Sequence, residues 1–289
     1  MFLSIDIGGS KTLLALFTSF GLCYKRRRFE TPSRSADFLS ELRENLAALF
    51  PSDSSKVKLR ALTVAIPGVV RVTPEGVSFH FGNLRWGNLD LLTPLREFFP
   101  AQSVKIFFVN DANLATLYEA SRPLRRRKKS AYLTFSTGIG GGLAKNGRLL
   151  PASDTFEPGH KSYLWQDKSL EWEDIASGKA LSEAYASPLK DLSLDRETAN
   201  DLISRLSLGL VDILKSEAPE LLIIGGPLGF IINKLKTPLL HSLKISLATA
   251  PLPDSTVRAL DHLKIKRARR PTESVIYGGY LYSKQNYRK

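Results

Sequence analysis

Two short glycine-rich turns, each placed directly after an apolar strand, constrain the fold of this chain more than any other feature. The first lies in FLSIDIGGSKTLLALF, from residue 2, and the second in SAYLTFSTGIGGGLAKNG, from residue 130. Glycine lets a ligand approach the backbone closely, and successive N–H groups in such a turn form a concave anion site. Two hairpins of this kind, one opening each half of the chain, predict two similar lobes that bind a polyphosphate.

Both turns also carry hydroxyl groups, and the first carries a cation. The alternative is a pair of ordinary glycine-containing hairpin turns with no ligand. The predicted phosphate-binding residues are Gly8, Gly9, Ser10, Lys11 and Thr12 in the first turn, and Ser136, Thr137, Gly138 and Gly140 in the second.

The composition is that of an ordinary globular protein. The 289 residues are enough for two domains, and 43% are hydrophobic and 24% charged. No stretch approaches the roughly 20 apolar residues that span a bilayer. The N-terminus has no basic segment and meets Asp6 early, so we expect no signal peptide. The single cysteine, Cys23, excludes an internal disulfide and a cysteine-based zinc site, and we expect a reducing, cytoplasmic location.

The net charge of +13 raises the question of a nucleic-acid partner. Basic runs occur at residues 25–28, 125–129 and 264–270, but no helix-turn-helix, zinc-finger or aromatic RNA-binding motif accompanies them. Solvated charge at strand ends and in connections is the simpler interpretation. We therefore expect neither a specific nucleic-acid partner nor a membrane partner, with non-specific sticking at low salt.

The order of predicted elements indicates an α/β fold. Strand hairpins come first in each half, followed by alternating strands and helices. The pattern predicts a helix over residues 36–49 with Ser35 as its N-cap, and a helix beginning at Asn110 or Asp111 after the strand VKIFFV. Residues 151–169 are predicted to be mainly loop, and helices are predicted over residues 172–186 and 198–217.

Seven motifs follow one another in a familiar order. They are DIGGSK, AIPGVV, GNLRW, VNDANLATLYEA, STGIGGG, EPGH and LLIIGG, and they span nearly the whole chain. In this the chain resembles the ROK family (repressor, open reading frame, kinase) of sugar kinases. The resemblance implies the two-lobe, actin/hexokinase-like ATPase fold, which is ribonuclease H-like, with mixed sheets flanked by helices and a central cleft. The smaller lobe would comprise residues 1–115 and 272–289, and the larger lobe residues 116–271.

The resemblance also implies a role for each hairpin. The first would hold the transferred phosphates, with Asp6 directed towards Mg²⁺ through water, and the second would clamp the phosphate tail of ATP. Gly225 and Gly226 would lie in the turn on the adenosine side, where a missing side chain leaves room for base and ribose. The implied cofactor is Mg²⁺ with ATP, which suits the hard cation that phosphoryl transfer requires.

By the same resemblance, Asp111 is the candidate catalytic base. It follows a strand at the carboxyl end of the predicted sheet, where open α/β sheets bind ligands. It would accept the proton of the attacking sugar hydroxyl and orient that hydroxyl. The alternative is that Asp111 only caps the following helix, and adjacent Asn110 and Asp111 could also divide the two roles.

The sugar contacts implied by the resemblance lie in both halves of the chain. Pro158 departs from the small aliphatic residue common in the family, and His160 taken alone is equally typical of a surface loop. The candidate sugar-binding residues are Gly68, Asn83, Asn110, Asp111, Glu157, His160 and Glu173, with Glu171 as an alternative to Glu173 two residues away.

The largest departure from the family follows His160. Many relatives have a cysteine-rich zinc-binding run there, whereas this chain has KSYLWQDKSLEWEDIASGKAL, with no cysteine. A thiolate zinc site is excluded and His160 lacks soft partner ligands, so we expect no zinc. We expect packing of Trp165 and Trp172 to hold this segment instead.

The sequence therefore favours an ATP-dependent hexose kinase that converts glucose to glucose 6-phosphate. One alternative is a ROK-type fructokinase, mannokinase or N-acetylhexosamine kinase. Another is a catalytically weakened sugar-binding regulator. Family regulators carry an N-terminal DNA-binding extension, whereas here the phosphate hairpin begins at residue 2. The expected partners are ATP and a hexose, and the oligomeric state stays open, with a homodimer as one option.

Overall fold

The computed structural model describes most of the chain. It covers residues 1–50, 57–73, 76–81, 84–87, 89–100, 103–123, 125–126, 128–248, 251–270 and 273–288, without the side chains of residues 72, 73, 76 and 255. The chain forms two compact units: the first comprises Met1–Tyr118 and Thr272–Lys289, and the second comprises Glu119–Pro271. Among the described residues, no helix has the length and apolar character needed to span a membrane.

The first unit is built on a five-stranded sheet. Its elements in chain order are β1 (Phe2–Ile7), β2 (Lys11–Phe17), β3 (Cys23–Glu30), α1 (Ser35–Leu49), β4 (Ala61–Ile66), β5 (Gly68–Thr73), β6 (Gly76–Phe81), α2 (Leu92–Phe98), β7 (Lys105–Asn110) and α3 (Asp111–Ala120), whose end passes into the second unit. The C-terminal helix of the chain, Ser274–Asn286, packs on β1 and β4 of this sheet. Strands β5 and β6 form a separate hairpin.

The second unit repeats this plan. It contains β8 (Ser130–Phe135), β9 (Ile139–Lys145), β10 (Arg148–Leu149), β11 (Ser162–Trp165), β12 (Lys168–Glu171), α4 (Trp172–Ala176), α5 (Gly178–Ala184), α6 (Arg196–Glu217), β13 (Leu221–Gly225), α7 (Ile232–Ala248), α8 (Asp254–Asp261) and β14 (Lys264–Arg267). The C-terminal helix is accordingly α9. Short 3₁₀ helices lie at Pro151–Thr155, Pro158–His160 and Pro227–Phe230.

The two large sheets have the same strand order. In the first unit it is β3-β2-β1-β4-β7, and in the second it is β10-β9-β8-β13-β14. In each sheet the first three strands pair antiparallel and the last two join in parallel. Such mixed sheets with packed helices confirm the predicted α/β class.

The apolar periodicity of the sequence explains how each core forms. Helix α1 buries Phe38, Leu42, Leu46 and Leu49 at helical spacing against the first sheet. In the second unit, the ring of Trp172 is fully buried in the core against Phe135, and its Nε1 donates to the carbonyl of Arg205 at 3.0 Å. The expected role of Trp172 in holding the cysteine-free segment is thereby confirmed. Trp165 is partly buried under the guanidinium of Arg205.

Several predicted element boundaries are wrong. Ser35 is the first residue of α1 rather than its N-cap, which is Arg34, and no side chain caps this end. Residues 151–169 are more ordered than predicted, since they contain two 3₁₀ helices and most of the β11–β12 hairpin. The predicted helix over residues 172–186 is broken at Ser177, whose hydroxyl accepts a hydrogen bond from the N–H of Ala180 and starts a new helix.

A buried carboxylate ties together distant segments of the second unit. Glu119, which is fully buried, pairs with Arg125 and accepts backbone N–H groups from Arg269 at 2.8 Å and Arg270 at 3.2 Å. Arg125 also donates to the carbonyl of Arg267. Glu119 and Arg125, at the start of the second unit, are thus fastened to the residues that end β14 and follow it.

We predict that Glu119→Gln lowers the free energy of unfolding by about 2–4 kcal/mol, because it leaves the guanidinium of Arg125 without a charged partner in a desolvated site. Glu217→Gln is the matched control, since the pair of Glu217 with Lys129 at 3.4 Å is partly exposed and should cost at most about 1 kcal/mol. Chemical denaturation measures both. Equal effects would show that Glu119 contributes no more than a surface charge.

Candidate active site

Two carboxylates lie at the carboxyl end of the first sheet. Asp6 is the penultimate residue of β1, and Asp111 directly follows β7. Strand β4 lies between them, with Asp6 opposite Ala65 and Ala65 opposite Val109. Two strand spacings separate β1 from β7 by roughly 10 Å, and Asp111 lies two residues beyond Val109, the residue in register with Asp6.

The two carboxylates interact electrostatically. Burial raises the pKa of Asp6 to about 7, and the negative charge of Asp111 adds to this shift. A carboxyl group with such a pKa is poorly stabilised as an anion by the protein alone. A divalent cation nearby would supply the missing charge compensation.

The structure separates the roles of Asn110 and Asp111. The Oδ1 of Asn110 accepts the N–H of Asn113 at 3.1 Å, so Asn110 is the residue that caps α3. Its Nδ2 donates to the carbonyl of Gly68 at 2.8 Å and so fixes the loop between β4 and β5. The Oδ1 of Asp111 accepts the N–H of its neighbour Ala112 at 2.7 Å. Because Asn110 caps α3, helix capping does not by itself explain why an aspartate occupies position 111.

The first hairpin forms a tight turn between β1 and β2. The N–H of Gly8 donates to the carbonyl of Lys11 at 3.1 Å and closes the turn. Gly9, Ser10 and Lys11 are exposed. Thr12 differs from them: it is fully buried, and its hydroxyl is hydrogen-bonded to that of Thr31 at 2.9 Å. The side chain of Thr12 therefore supports the hairpin from inside. Asn83 lies outside the described residues.

The second hairpin exposes two hydroxyls at the end of β8. The N–H of Ser136 donates to the carbonyl of Gly138 at 2.9 Å, and the side chains of Ser136 and Thr137 face solvent. The carbonyl of Ser136 accepts the N–H of Lys179 in α5. A Cβ on Gly138 would lie 2.4 Å from Oε2 of Glu173, so the absent side chain is what lets this carboxylate reach the hairpin. Gly140 lies one residue into β9.

The turn after β13 requires glycine. Gly226 has φ +68° and ψ −168°, a conformation open essentially to glycine alone. A Cβ at this position would lie 2.3 Å from the carbonyl oxygen of Phe135, and one on Gly225 would lie 2.2 Å from the hydroxyl of Tyr132. The two glycines thus bring the end of β13 close to the end of β8, where the second hairpin begins.

Three predicted or alternative sugar contacts converge in the second unit. Nδ1 of His160 lies 2.9 Å from Oε2 of Glu171 and 4.0 Å from Oε1 of Glu173. The hydrogen bond to Glu171 is the main cause that raises the pKa of His160. Desolvation raises the pKa of Glu157, and the charge of Glu173 adds to this, whereas His160 opposes it.

Glu173 connects this cluster to the second hairpin, since its Oε2 accepts the N–H of Ile139 at 3.2 Å. The ligand atoms of His160, Glu171 and Glu173 lie within 4.8 Å of one another, which is close enough to hold a cation. An imidazole with two carboxylates is a harder donor set than thiolates. The expectation that the protein binds no zinc stays a prediction.

Sequence reasoning treated Glu171 and Glu173 as alternatives, but the structure brings both to His160. Glu171 ends β12, where it pairs with Ser162, and it is not yet helical. Sequence reasoning also missed Asp212, which accepts from the hydroxyl of Tyr163 at 2.8 Å and from Lys161 at 2.6 Å. These bonds fasten the β11–β12 hairpin to α6. An odd–even alternation in residues 162–165 was the available signal, and it is too short to be distinctive.

Comparison with known proteins gives one family. The model described as "ROK family" matches residues 2–235. A fructokinase from Lactococcus lactis subsp. cremoris is 26% identical over 240 residues and covers 77% of each protein. A glucokinase from Halalkalibacterium halodurans is 24% identical and covers 98% of this chain and 95% of its own. An N-acetylmannosamine kinase from Escherichia fergusonii is 27% identical and covers 78% of this chain and 83% of its own.

Solved structures agree with this assignment. A ROK family glucokinase from Streptomyces griseus, in complex with glucose and AMPPNP, superposes with a TM-score of 0.66 at 19% identity and covers 99% of both chains. The likeness confirms the predicted actin-like ATPase fold.

The shifted pKa of Asp6 predicts a pH dependence of stability. Because its folded pKa lies near 7, above its unfolded value of 3.8, the folded state binds more protons between these values and loses stability as the pH rises through them. Asp6→Asn mimics the neutral acid. The ligand-free variant should therefore be more stable than the parent, and the difference should grow by at most about 3 kcal/mol between about pH 5 and pH 8.

Thermal and chemical unfolding across this pH range measure the effect. Asp154→Asn, at an exposed aspartate, is the control and should leave the pH dependence unchanged. A constant difference between Asp6→Asn and the parent at all pH values would mean that Asp6 titrates normally.

Proposed function

The chain belongs to the ROK family, and from that premise we propose that it is an ATP-dependent hexose kinase that transfers the γ-phosphate to a sugar hydroxyl, with glucose as the substrate. The observation that carries this proposal is the coupled pair Asp6 and Asp111 at the carboxyl end of the first sheet, directly beside the first glycine hairpin. A structural carboxylate would be expected to form an ion pair, whereas Asp6 is destabilised as an anion by burial and by Asp111. Such tuning is typical of a functional site.

Asp111 is the proposed base. It directly follows β7, at the carboxyl end of the first sheet, and the helix that begins there is capped by Asn110. It would accept the proton of the sugar hydroxyl as that oxygen attacks the γ-phosphorus, while the bond from phosphorus to the bridging oxygen of ADP breaks. Because an ordinary aspartate is a weak base, orientation of the hydroxyl would be a large part of its contribution.

Asp6 would hold Mg²⁺ through water, and Mg²⁺ would neutralise charge on the phosphates of ATP. The residues present fit this ion, since an oxygen donor suits a hard cation and the raised pKa of Asp6 marks a place where positive charge is missing. The exposed turns at residues 8–11 and 136–138 would donate backbone N–H groups and hydroxyls to phosphate oxygens.

The sugar contacts proposed in the second unit are Glu157, His160 and Glu173, with Glu171 as the partner that orients His160. A carboxylate accepts from sugar hydroxyls, and an imidazole held by Glu171 at Nδ1 presents Nε2 to a ligand. Glu173 would serve both ligands because it also accepts the N–H of Ile139 in the second phosphate hairpin.

The identity of the sugar is inferred from the relatives of this chain. Relatives named fructokinase, glucokinase and N-acetylmannosamine kinase have similar identities to this chain, between 24% and 27%. The glucokinase match extends over 98% of this chain, which supports glucose. A fructokinase, mannokinase or N-acetylhexosamine kinase remains the first alternative, and a sugar-binding regulator with weakened catalysis is the second.

The test of this proposal is coupled ADP release with ATP and Mg²⁺ against glucose, fructose, mannose, N-acetylglucosamine and N-acetylmannosamine. We expect the highest kcat/KM with glucose. Turnover of another sugar in the panel would correct the substrate and keep the kinase. Sugar binding without ADP release from any of them would favour the regulator.

We predict that Asp111→Asn lowers kcat by about 10²–10⁴-fold, because the amide can neither accept the proton nor carry the charge. The amide oxygen still accepts the N–H of Ala112, so the start of α3 should stay intact. Sugar affinity, measured calorimetrically, should change much less than kcat. Turnover close to that of the parent would remove Asp111 from the catalytic role.

Alanine variants of the sugar contacts should separate two groups. Glu157→Ala and His160→Ala should raise the sugar KM by about tenfold or more and leave the ATP KM nearly unchanged. Glu173→Ala should raise both KM values, since it also releases the N–H of Ile139. Steady-state kinetics with each substrate varied in turn measures this difference.

Glu171→Ala cannot serve as a neutral control, because Glu171 contacts His160 directly. We expect it to raise the sugar KM less than His160→Ala. Glu183→Ala, at an exposed position in α5, is the matched control and should change neither KM. If none of the four site variants alters the sugar KM, the segment that contains residues 157–173 does not bind the sugar.

A further inference from the structure

The turn between β2 and β3 presents large apolar side chains to solvent. Phe20 is 89% exposed, Leu22 is 70% exposed and Tyr24 is 63% exposed. We call these three residues the apolar tip. Seven described large hydrophobic residues are exposed by 45% or more, and three of them lie within five positions of one another here. Such clustering distinguishes a docking surface from the scattered exposed apolar residues of an ordinary surface.

The tip is held in this conformation by hydrogen bonds. The N–H of Gly21 and the N–H of Leu22 both donate to Thr18, to its carbonyl at 3.1 Å and its hydroxyl at 3.2 Å. Gly21 has φ +89° and lies against the ring of Tyr280, whose hydroxyl donates to the carbonyl of Ser19 at 3.2 Å. Helix α9 thus supports a turn that keeps Phe20 and Leu22 away from the core, so little ordering would remain for binding.

Four consecutive cations follow the apolar tip on β3, the edge strand of the first sheet. Lys25, Arg26, Arg27 and Arg28 are all exposed. Lys25 donates to the carbonyl of Ala48, and Arg27 donates to Asn45. These two partners are neutral groups, so neither contact supplies a negative charge. Arg26 lies 3.6 Å from Glu273 in an exposed pair, and Lys284 adds a further cation over the ring of Tyr280.

We propose that the apolar tip and this cationic strand form a docking site for an anionic lipid surface. Phe20 and Leu22 would enter the interface between headgroups and acyl chains, and Lys25, Arg26 and Lys284 would face anionic headgroups. The combination of an apolar tip with adjacent cations is what such an interface requires. A peripheral contact of this kind needs no spanning segment, so it is compatible with the lack of one among the described helices.

Two other occupants fit less well. A second copy docked on the same strand would place two runs of four cations side by side, which is unfavourable. A nucleic acid would match the cations but would leave Phe20 and Leu22 without a role, unless bases stack on the aromatic ring. The charge and the apolar side chains together favour the lipid.

The test is co-sedimentation of the full chain with vesicles of phosphatidylcholine, with and without about 30% phosphatidylserine, in about 0.05 M and 0.5 M NaCl. We expect binding to the anionic vesicles at low salt, weaker binding at high salt and little binding to neutral vesicles. The double variant F20S/L22S should lose about tenfold or more in partitioning. R26Q/K284Q should bind less at low salt and depend less on salt.

The control is L164S/I245S, which removes two apolar side chains of similar exposure, 72% and 56%, from the second unit. It should bind vesicles like the parent. Sugar-kinase turnover in solution should be unchanged in F20S/L22S, which verifies that the variant is folded.

Three results would overturn the proposal. One is an absence of binding to anionic vesicles at low salt. Another is equal vesicle binding by F20S/L22S and the parent, which would mean that the net charge of +13 alone explains the binding. The third is that F20S/L22S loses binding to a fluorescently labelled oligonucleotide, or loses self-association in sedimentation velocity, while its vesicle binding is unchanged.

Discussion

The parallel pairing of β1, β4 and β7 is the constraint on which the candidate site depends. Its register sets Asp6 opposite Ala65, and Ala65 opposite Val109, so that the residues just past β7 reach the same sheet edge as the end of β1. The first glycine turn, the start of α3 and the carboxylates of Asp6 and Asp111 therefore all lie at that edge. Burial of Asp6, together with the nearby charge of Asp111, raises the pKa of Asp6 to about 7. The strain is electrostatic, and a bound cation is the natural means of relieving it.

The second unit repeats the strand order but places different chemistry at the equivalent edge. Hydroxyls and glycines replace the carboxylate pair, and Gly226 turns back tightly against the carbonyl of Phe135. The carboxylates enter instead from the segment after β9. Among them, Glu173 reaches both the N–H of Ile139 and the neighbourhood of His160. One side chain therefore contacts both the proposed phosphate-binding turn and a proposed sugar contact, so that a change in one should affect the other.

Much of this arrangement could be predicted from the sequence, because strong local patterns specify it. The antiparallel strands at the start of each half, and the strand-to-helix junction at Asn110 and Asp111, follow from runs of apolar residues ended by glycine or a capping residue. The hairpin β11–β12 could not be predicted, since four-residue strands give little periodicity and depend on Asp212 in a distant helix. The contact of Glu171 with His160 depends on that hairpin. The buried hydroxyl of Thr12 was equally hidden, because its partner Thr31 lies beyond the next strand.

The three basic runs, which look alike in the sequence, have different environments in the fold. In residues 125–129, Arg125 is taken up by buried Glu119, and Lys129 pairs with Glu217. In residues 264–270, Arg267 stacks over Phe230, and the backbone N–H groups of Arg269 and Arg270 donate hydrogen bonds to Glu119. Several residues of these two runs therefore have a structural role. The run on β3 is the contrast, since its exposed cations meet mainly neutral partners on a strand whose outer edge is unpaired in the described sheet.

Cations on an edge strand discourage pairing with another strand, which explains why the strand is charged. That function does not explain three exposed apolar side chains beside it, because those would promote the association that the cations prevent. A surface that is both anionic and apolar at different depths resolves this conflict, since it can accommodate both groups at once.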